Sequence, residues 1–336
     1  MVKNKSNQNL EKIKIPSTPL PEPQFNLSRE CTVVLDSNGQ PKEFLIKYDD
    51  LAKQNLLGSG QFGTVTKMFH KESNMNFAAK AINYDLTRDN QDNHYLMDLK
   101  ASLKFANQCQ HLIRFYGALN AEGYIWILTE IMDASMDRFY QKVFKKNLQM
   151  TELFLSKLAC SVMGALVFMK QSDVMHRDIK PSNILLNYKG EIKVCDFSIS
   201  GFVVDSVCRS VLGCRKYMPP EKMQPNQSKG YNSKTDVWSF GISLIEIATG
   251  IHPFEGLNDL QLIQTIFYDP PPKLDETKFS PDLCRFVDKC LIKMPDDRST
   301  CESLSENEFI RKFSNTPIDL GFIKTIIDEV VNDPLE

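Results

Sequence analysis

His176-Arg-Asp-Ile-Lys-Pro-Ser-Asn183 is followed, thirteen residues after its asparagine, by Asp196-Phe-Ser198. The first stretch sets an acid (Asp178), a cation (Lys180) and an amide (Asn183) at fixed offsets in one loop, and Asp196 adds a second acid beyond a short hairpin. Each answers a need of phosphoryl transfer. An acid can orient a hydroxyl and take its proton. An ammonium can neutralise a transferring phosphoryl group. An amide oxygen and a carboxylate are the hard oxygen ligands that Mg²⁺ prefers. A lone His-Arg-Asp reads as a surface turn; the lysine, the asparagine and the later aspartate in register argue against that reading.

Working outward, Gly58-Ser59-Gly60-Gln61-Phe62-Gly63-Thr64-Val65 fits GxGxxGxV in full. Glycines let a backbone bend tightly and approach phosphate oxygens without a Cβ in the way. Alone the pattern is weak, because most such matches are loops. Lys80 follows Gly63 by 17 residues, inside the apolar run Phe77-Ala-Ala-Lys-Ala-Ile82. A lysine in an apolar strand is costly unless its ammonium is paired. It is either an edge-strand residue reaching water or a ligand of the α- and β-phosphates, and the glycine loop upstream favours the second. The best-placed acid to pair with it is Asp98, on a helix expected over 94–105. Thr129-Glu130-Ile131-Met132 is expected to join two lobes and to offer backbone groups to adenine, with Thr129 at the back of the pocket.

The bulk numbers are compatible with this. The 336 residues exceed one small core and suit a two-lobed unit with short tails. A net charge of −2 gives no reason to expect nucleic acid or an anionic membrane as partner. Nine cysteines without CxxC spacing argue against a zinc site and for reduced thiols, so a cytoplasmic setting is expected, with the nucleus also open. No apolar run approaches the roughly 18 residues that span a bilayer.

Residues 1–30, with Pro16, Pro19, Pro21 and Pro23, read as a disordered tail. The runs 51–57, 64–69, 77–82 and 124–129 read as strands; 153–169, 235–249 and 257–268 read as helices. The order is a strand-rich lobe (about 50–131) followed by a helical lobe (about 132–313), an α+β pattern. Within the C-terminal segment 314–336, residues 316–332 read as a last amphipathic helix, with Ile318, Phe322, Ile323, Ile326, Ile327 and Val330 on one side.

From about residue 50 to 313 the chain resembles a eukaryotic protein kinase. Pro219-Pro-Glu221 and Asp236-Val-Trp-Ser-Phe-Gly241 carry the likeness further, and Arg298 is the expected buried partner of Glu221. It is most similar to the MAP kinase kinases, on Phe115-Tyr-Gly-Ala118, Met132-Asp-Ala-Ser135, Lys180-Pro-Ser-Asn183, Ile199-Ser-Gly201 and Val204-Asp-Ser206. Met97-Asp-Leu99 resembles the branch that acts on stress-activated MAP kinases.

The resemblance implies a two-lobed fold and a dual-specificity kinase. It would use ATP and Mg²⁺ to phosphorylate the Thr and Tyr of a Thr-x-Tyr loop in a stress-activated MAP kinase. It assigns Lys80 and Asp98 to an ion pair, Asp178 and Lys180 to catalysis, and Asn183 and Asp196 to metal. Ser206 and Ser210 would be the paired sites phosphorylated by an upstream MAP kinase kinase kinase, their phosphates pairing with arginines such as Arg177. Lys3, Lys5, Ile13 and Ile15 would form a docking peptide for the MAP kinase, and the last helix a dock for the upstream kinase. One departure carries weight. Ser198 stands where the family has glycine, and its Cβ costs about 1 kcal/mol if φ is positive there. The alternative is therefore a pseudokinase, a scaffold that binds a MAP kinase without transfer. Cys195, beside Asp196, reads as packing, or as a thiol of modest reactivity if its thiolate is favoured.

Overall fold

A computed structural model describes residues 28–37, 40–60, 63–83, 107–196, 215–223 and 232–332. The docking peptide, Gln61, Phe62, Asp98, Ser198, Ser206 and Ser210 lie outside the described residues.

The first lobe is a five-stranded antiparallel sheet, built from β3 (Leu51–Gly60), β4 (Gly63–His70), β5 (Met75–Asn83), β6 (Phe115–Ala121) and β7 (Tyr124–Thr129) in the order β3-β4-β5-β7-β6. Strand β5 shows why lysine sits in an apolar run. Phe77, Ala79 and Ala81 point to one face and are buried there, whereas Ala78 and Lys80 point to the other. Across β5, Lys80 is in register with Val65 and Ile127, and Ala78 with Thr129, so these side chains share the second face.

The first face is covered by a hairpin of β1 (Glu30–Ser37) and β2 (Gln40–Lys47). Cys31, Val33, Leu35, Phe44 and Ile46 pack on Phe77, Leu119 and Leu128. Covering one phenylalanine in this way contributes about 1.5–3 kcal/mol. The lobe thus reaches upstream of residue 50, where it was expected to begin. Gly117 on β6 makes the approach fit, since a Cβ there would stand 2.6 Å from Cys31 Sγ.

The second lobe is helical. Its described helices are α1 (Met136–Lys145), α2 (Glu152–Gln171), α3 (Pro220–Met223), α4 (Ser233–Thr249), α5 (Asp259–Tyr268), α6 (Pro281–Cys290), α7 (Cys301–Ser305), α8 (Glu308–Lys312) and α9 (Leu320–Val331). Side-chain caps start several of them, with Thr151 accepting from Phe154 N–H, Asn232 from Lys234 N–H and Ser280 from Leu283 N–H. Helix α2 comes nearer to a membrane span than the sequence reading allowed, being long and apolar enough by length and composition alone. Here it is a core helix, with Leu155, Leu158, Ala159, Val162 and Met163 fully buried.

A small sheet, β8 (Ala134–Ser135), β9 (Ile184–Leu186) and β10 (Ile192–Val194) in the order β10-β9-β8, carries the loop between the lobes. Helix α9 starts at Leu320, capped by Asp319, rather than at 316. Its Ile323, Ile326, Ile327 and Val330 are buried, and Arg138 of α1 donates to Val330 O at 2.8 Å. Its apolar face is thus taken up by packing within the chain.

Candidate active site

The His176–Asn183 loop is held from below by α4. Asp236 of that helix, buried, accepts from His176 N–H at 3.0 Å and from Arg177 N–H at 2.8 Å. Burial raises the Asp236 pKa, and His176 and Arg177 offset only part of that rise. The two bonds hold Arg177 in the left-handed region (φ 67°), a conformation costing about 1 kcal/mol for a residue with a Cβ. His176 is fully buried and links two segments. Its Nε2–H donates to Cys195 O at 2.8 Å, and its Nδ1 accepts from Asp178 N–H at 3.2 Å. A carbonyl can only accept and an amide N–H only donate, so these partners select the Nε2–H tautomer.

That link brings the loop and Asp196 together. Lys180 Nζ lies 2.8 Å from Asp178 Oδ2, and Asn183 Nδ2 donates to Asp178 O and Oδ2, both at 2.8 Å. With its NH₂ group engaged by Asp178, the Asn183 amide presents Oδ1 on its other side. Cys195 N–H donates to Asn183 O at 3.0 Å, next to the Val194–Ile184 pair of β10 and β9. The amide and Asp196 therefore stand on adjoining strand ends, and their oxygens fit the hard donor set of Mg²⁺. Asp196 too is left-handed, at φ 65°. Lys80 Nζ pairs with its Oδ2 at 2.7 Å. Burial would raise the Asp196 pKa, but the Lys80 ammonium outweighs it and holds the carboxyl below its usual range. Cys195 behaves oppositely. Burial and then the Asp196 carboxylate push its thiol well above the ordinary value, which removes the thiolate on which its reactivity depended.

The two strands that flank the glycine loop run beside Lys80, which is in register with Val65. Gly58 pairs with Val65, Ser59 with Thr64 and Gly60 with Gly63, after register shifts in β3 between Lys53 and Gly58. Gly63 has φ 127°, and a Cβ there would stand 1.9 Å from Ala81 O, so the protein itself demands glycine. At Gly58 a Cβ would meet nothing within 4 Å. Among the described residues nothing crowds this position, so there is room beside it for a phosphate. Gly58→Ala is expected to leave the unfolding midpoint within about 2 °C. It is expected to weaken Mg·ADP binding about tenfold by calorimetry, through the steric cost of a methyl group against the phosphates.

At the other end of the cleft, Thr129 Oγ1 donates to Ala78 O at 3.3 Å, and Met132 is half-buried. Glu130 departs in one respect from its expected use. Its N–H already donates to Arg114 O at 3.0 Å, so a hydrogen bond from its backbone to a nucleotide would have to come through its carbonyl.

The segment after the active loop is pinned to the helical lobe by residues to which the sequence reading gave no role. Tyr217 donates to Glu246 Oε2 at 2.6 Å, and Tyr140 of α1 donates to the other oxygen at 2.7 Å. Burial raises the Glu246 pKa against the pull of these two hydroxyls. Ser239 donates to Tyr217 O at 2.9 Å, and Arg215 pairs with Asp259 at 3.2 Å. Glu221 meets the expected partner, Arg298, through two bonds of 2.8 and 3.0 Å.

Residues 51–310 match the family described as protein kinase domain. The chain is 38% identical over 319 residues to the dual specificity mitogen-activated protein kinase kinase sek-1 of Caenorhabditis elegans, covering 93% of this chain and 94% of that protein. It is 33% identical over 303 residues to the dual specificity mitogen-activated protein kinase kinase dSOR1 of Drosophila melanogaster, covering 81% of this chain and 74% of that one. With the dual specificity mitogen-activated protein kinase kinase mek-1 of Caenorhabditis elegans, identity is 36% over 261 residues, covering 76% and 72%.

Proposed function

The chain belongs to the protein kinases, as a dual-specificity MAP kinase kinase, and from that premise we propose that it phosphorylates the Thr and Tyr of a stress-activated MAP kinase with Mg·ATP. The observation that carries the reading is the convergence of Lys80 and Asp196 (2.7 Å) with the Asp178–Lys180–Asn183 cluster, joined through His176 and Cys195 O.

Asp178 orients the substrate hydroxyl and accepts its proton as the oxygen bonds to the γ-phosphorus. The bond from that phosphorus to the β-bridging oxygen breaks, and ADP leaves with the electron pair. Lys180 neutralises charge on the transferring group, and Lys80 holds the α- and β-phosphates. Asn183 and Asp196 would hold Mg²⁺, which supplies further charge neutralisation when bound. Backbone groups of Gly58, Ser59, Gly60, Gln61, Phe62 and Gly63 cover the phosphates, and Val65 packs over adenine opposite Thr129–Met132. Asp98 is assigned as the acid that pairs with Lys80. The intact cluster supports transfer over a scaffold role.

The stress branch is supported by Met97-Asp-Leu99 and by the basic-apolar tail, in which Lys3 and Lys5 would meet an acidic patch and Ile13 and Ile15 an apolar groove. An upstream kinase acts on Ser206 and Ser210, and the cytosol or nucleus is the assigned place of work. The Ser206→Ala, Ser210→Ala double variant is expected to stay silent after incubation with an activating upstream kinase, whereas unaltered protein gains activity. Robust activation of the double variant would refute the switch.

A further inference from the structure

Glu130 carries a side chain that the nucleotide reading leaves unused. Its carboxylate Oε1 accepts from Lys193 Nζ at 2.6 Å and from Arg114 N–H at 2.7 Å. Its own N–H returns a bond to Arg114 O at 3.0 Å. Three segments meet there: the end of β7, the residue before β6, and the middle of β10. The contact is sheltered, with side-chain exposures of 14% for Lys193 and 17% for Glu130, so water competes weakly for either charge.

The backbone extends the clamp. Residues 111–114 run alongside β10, with Val194 N–H donating to His111 O at 2.8 Å and Ile113 N–H to Val194 O at 2.9 Å. Lys193 stands three residues before Asp196, on the strand that pairs with β9 beside Asn183. One carboxylate therefore ties the adenine end of the cleft to its metal end, and the five-stranded sheet to the small sheet of the second lobe.

The geometry points to Glu130 as a positioning residue for the nucleotide. Its ion pair with Lys193, backed by the Arg114 N–H, fixes the span between residues 129–132 and Asp196. The inference rests on the reading that 129–132 face adenine. It predicts a signature that general disruption does not give. A ligand reaching both ends needs the span held, whereas a ligand reaching one end does not. Adenosine touches the adenine end alone, and that end keeps its own tie from Glu130 N–H to Arg114 O.

The test uses the full chain and two probes, Mg·ADP and adenosine, by calorimetry. Glu130→Gln keeps an acceptor for Arg114 N–H and removes the charge; Lys193→Met removes the partner. Each is expected to weaken Mg·ADP about tenfold, the scale of one sheltered charge-assisted hydrogen bond. Adenosine affinity stays within about twofold, because the adenine end is unchanged. The double variant loses no more than either single one, and Lys193→Arg, which keeps the charge, restores most of the affinity. Equal losses on both probes, additive losses in the double variant, or unchanged Mg·ADP affinity would each overturn the proposal. Failure of the unaltered protein to bind Mg·ADP would overturn the nucleotide-site reading, and the proposal with it.

Discussion

Asp178→Asn is expected to lower kcat by about 10²–10⁴-fold while Mg·ADP affinity changes little, because the substitution removes the proton acceptor and keeps the shape. The carboxylate is 9% exposed and lies 2.8 Å from both Lys180 Nζ and Asn183 Nδ2. An amide of the same size can still fill that position, but it cannot take the hydroxyl's proton. Its oxygen can take the place of Oδ2 as acceptor for Lys180 and Asn183, but without the charge, so Lys180 is held more weakly. Single-turnover transfer, with calorimetry on the same protein, separates the two effects. A rate within about threefold of the unaltered protein would show that Asp178 is not the acceptor, since a positioned base contributes far more.

The largest loss of stability is expected at Arg298. Its side chain is fully buried and binds Glu221 through two nitrogens, at 2.8 and 3.0 Å. It also donates to the carbonyls of Ile292, Lys234 and Lys293 and lies 5.1 Å from the Trp238 ring centroid. Arg298→Ala leaves three carbonyls short of a donor and one carboxylate without its counter-charge, a change worth about 3–5 kcal/mol. For a chain of this size the unfolding midpoint should fall by about 4–7 °C. Arg298→Lys should rescue little, because one ammonium cannot reproduce the planar fork. The double variant Arg298→Met, Glu221→Gln should be more stable than Arg298→Ala, since no charge is left unpaired. Scanning calorimetry checks the order. An Arg298→Ala midpoint within about 2 °C of the unaltered protein would contradict this account of the 215–223 anchor.

Much of the site was legible because its chemistry is local. Asp178, Lys180 and Asn183 lie within six residues, and Gly58 to Gly63 make one glycine-rich pattern between two apolar runs. Lys80 announced itself as a charge in a strand, and β5 shows the reason: its other face is buried under a hairpin. That hairpin is signalled in the sequence as well. Cys31-Thr-Val-Val-Leu35 is rich in β-branched and apolar residues, and Asn38-Gly39 before Gln40 is a strong hairpin signal. Strand β6 was hidden by Gly117, which reads as a turn in sequence and proves to be the place where Cys31 comes close.

The contacts beyond local reading are those between distant residues. Asp236 reaches the loop from 60 positions away, and Glu130 meets Lys193 across 63. Tyr217 finds Glu246 on a helix whose acid is enclosed by apolar neighbours. No periodicity marks such pairs. A buried acid in an apolar helix is the one hint that the sequence offers, because it must be paired somewhere.

Transfer of phosphate to both threonine and tyrosine of a stress-class MAP kinase is tested by an assay with the Ser206→Glu, Ser210→Glu protein and a catalytically dead MAP kinase of that class, with Asp196→Ala as control. Phosphothreonine and phosphotyrosine are read separately, and nucleotide binding is followed by thermal shift. Both modifications should form, and both should vanish in the control. Nucleotide binding with transfer to neither residue would contradict the claim, and the scaffold reading, with Ser198 as its cause, would take its place.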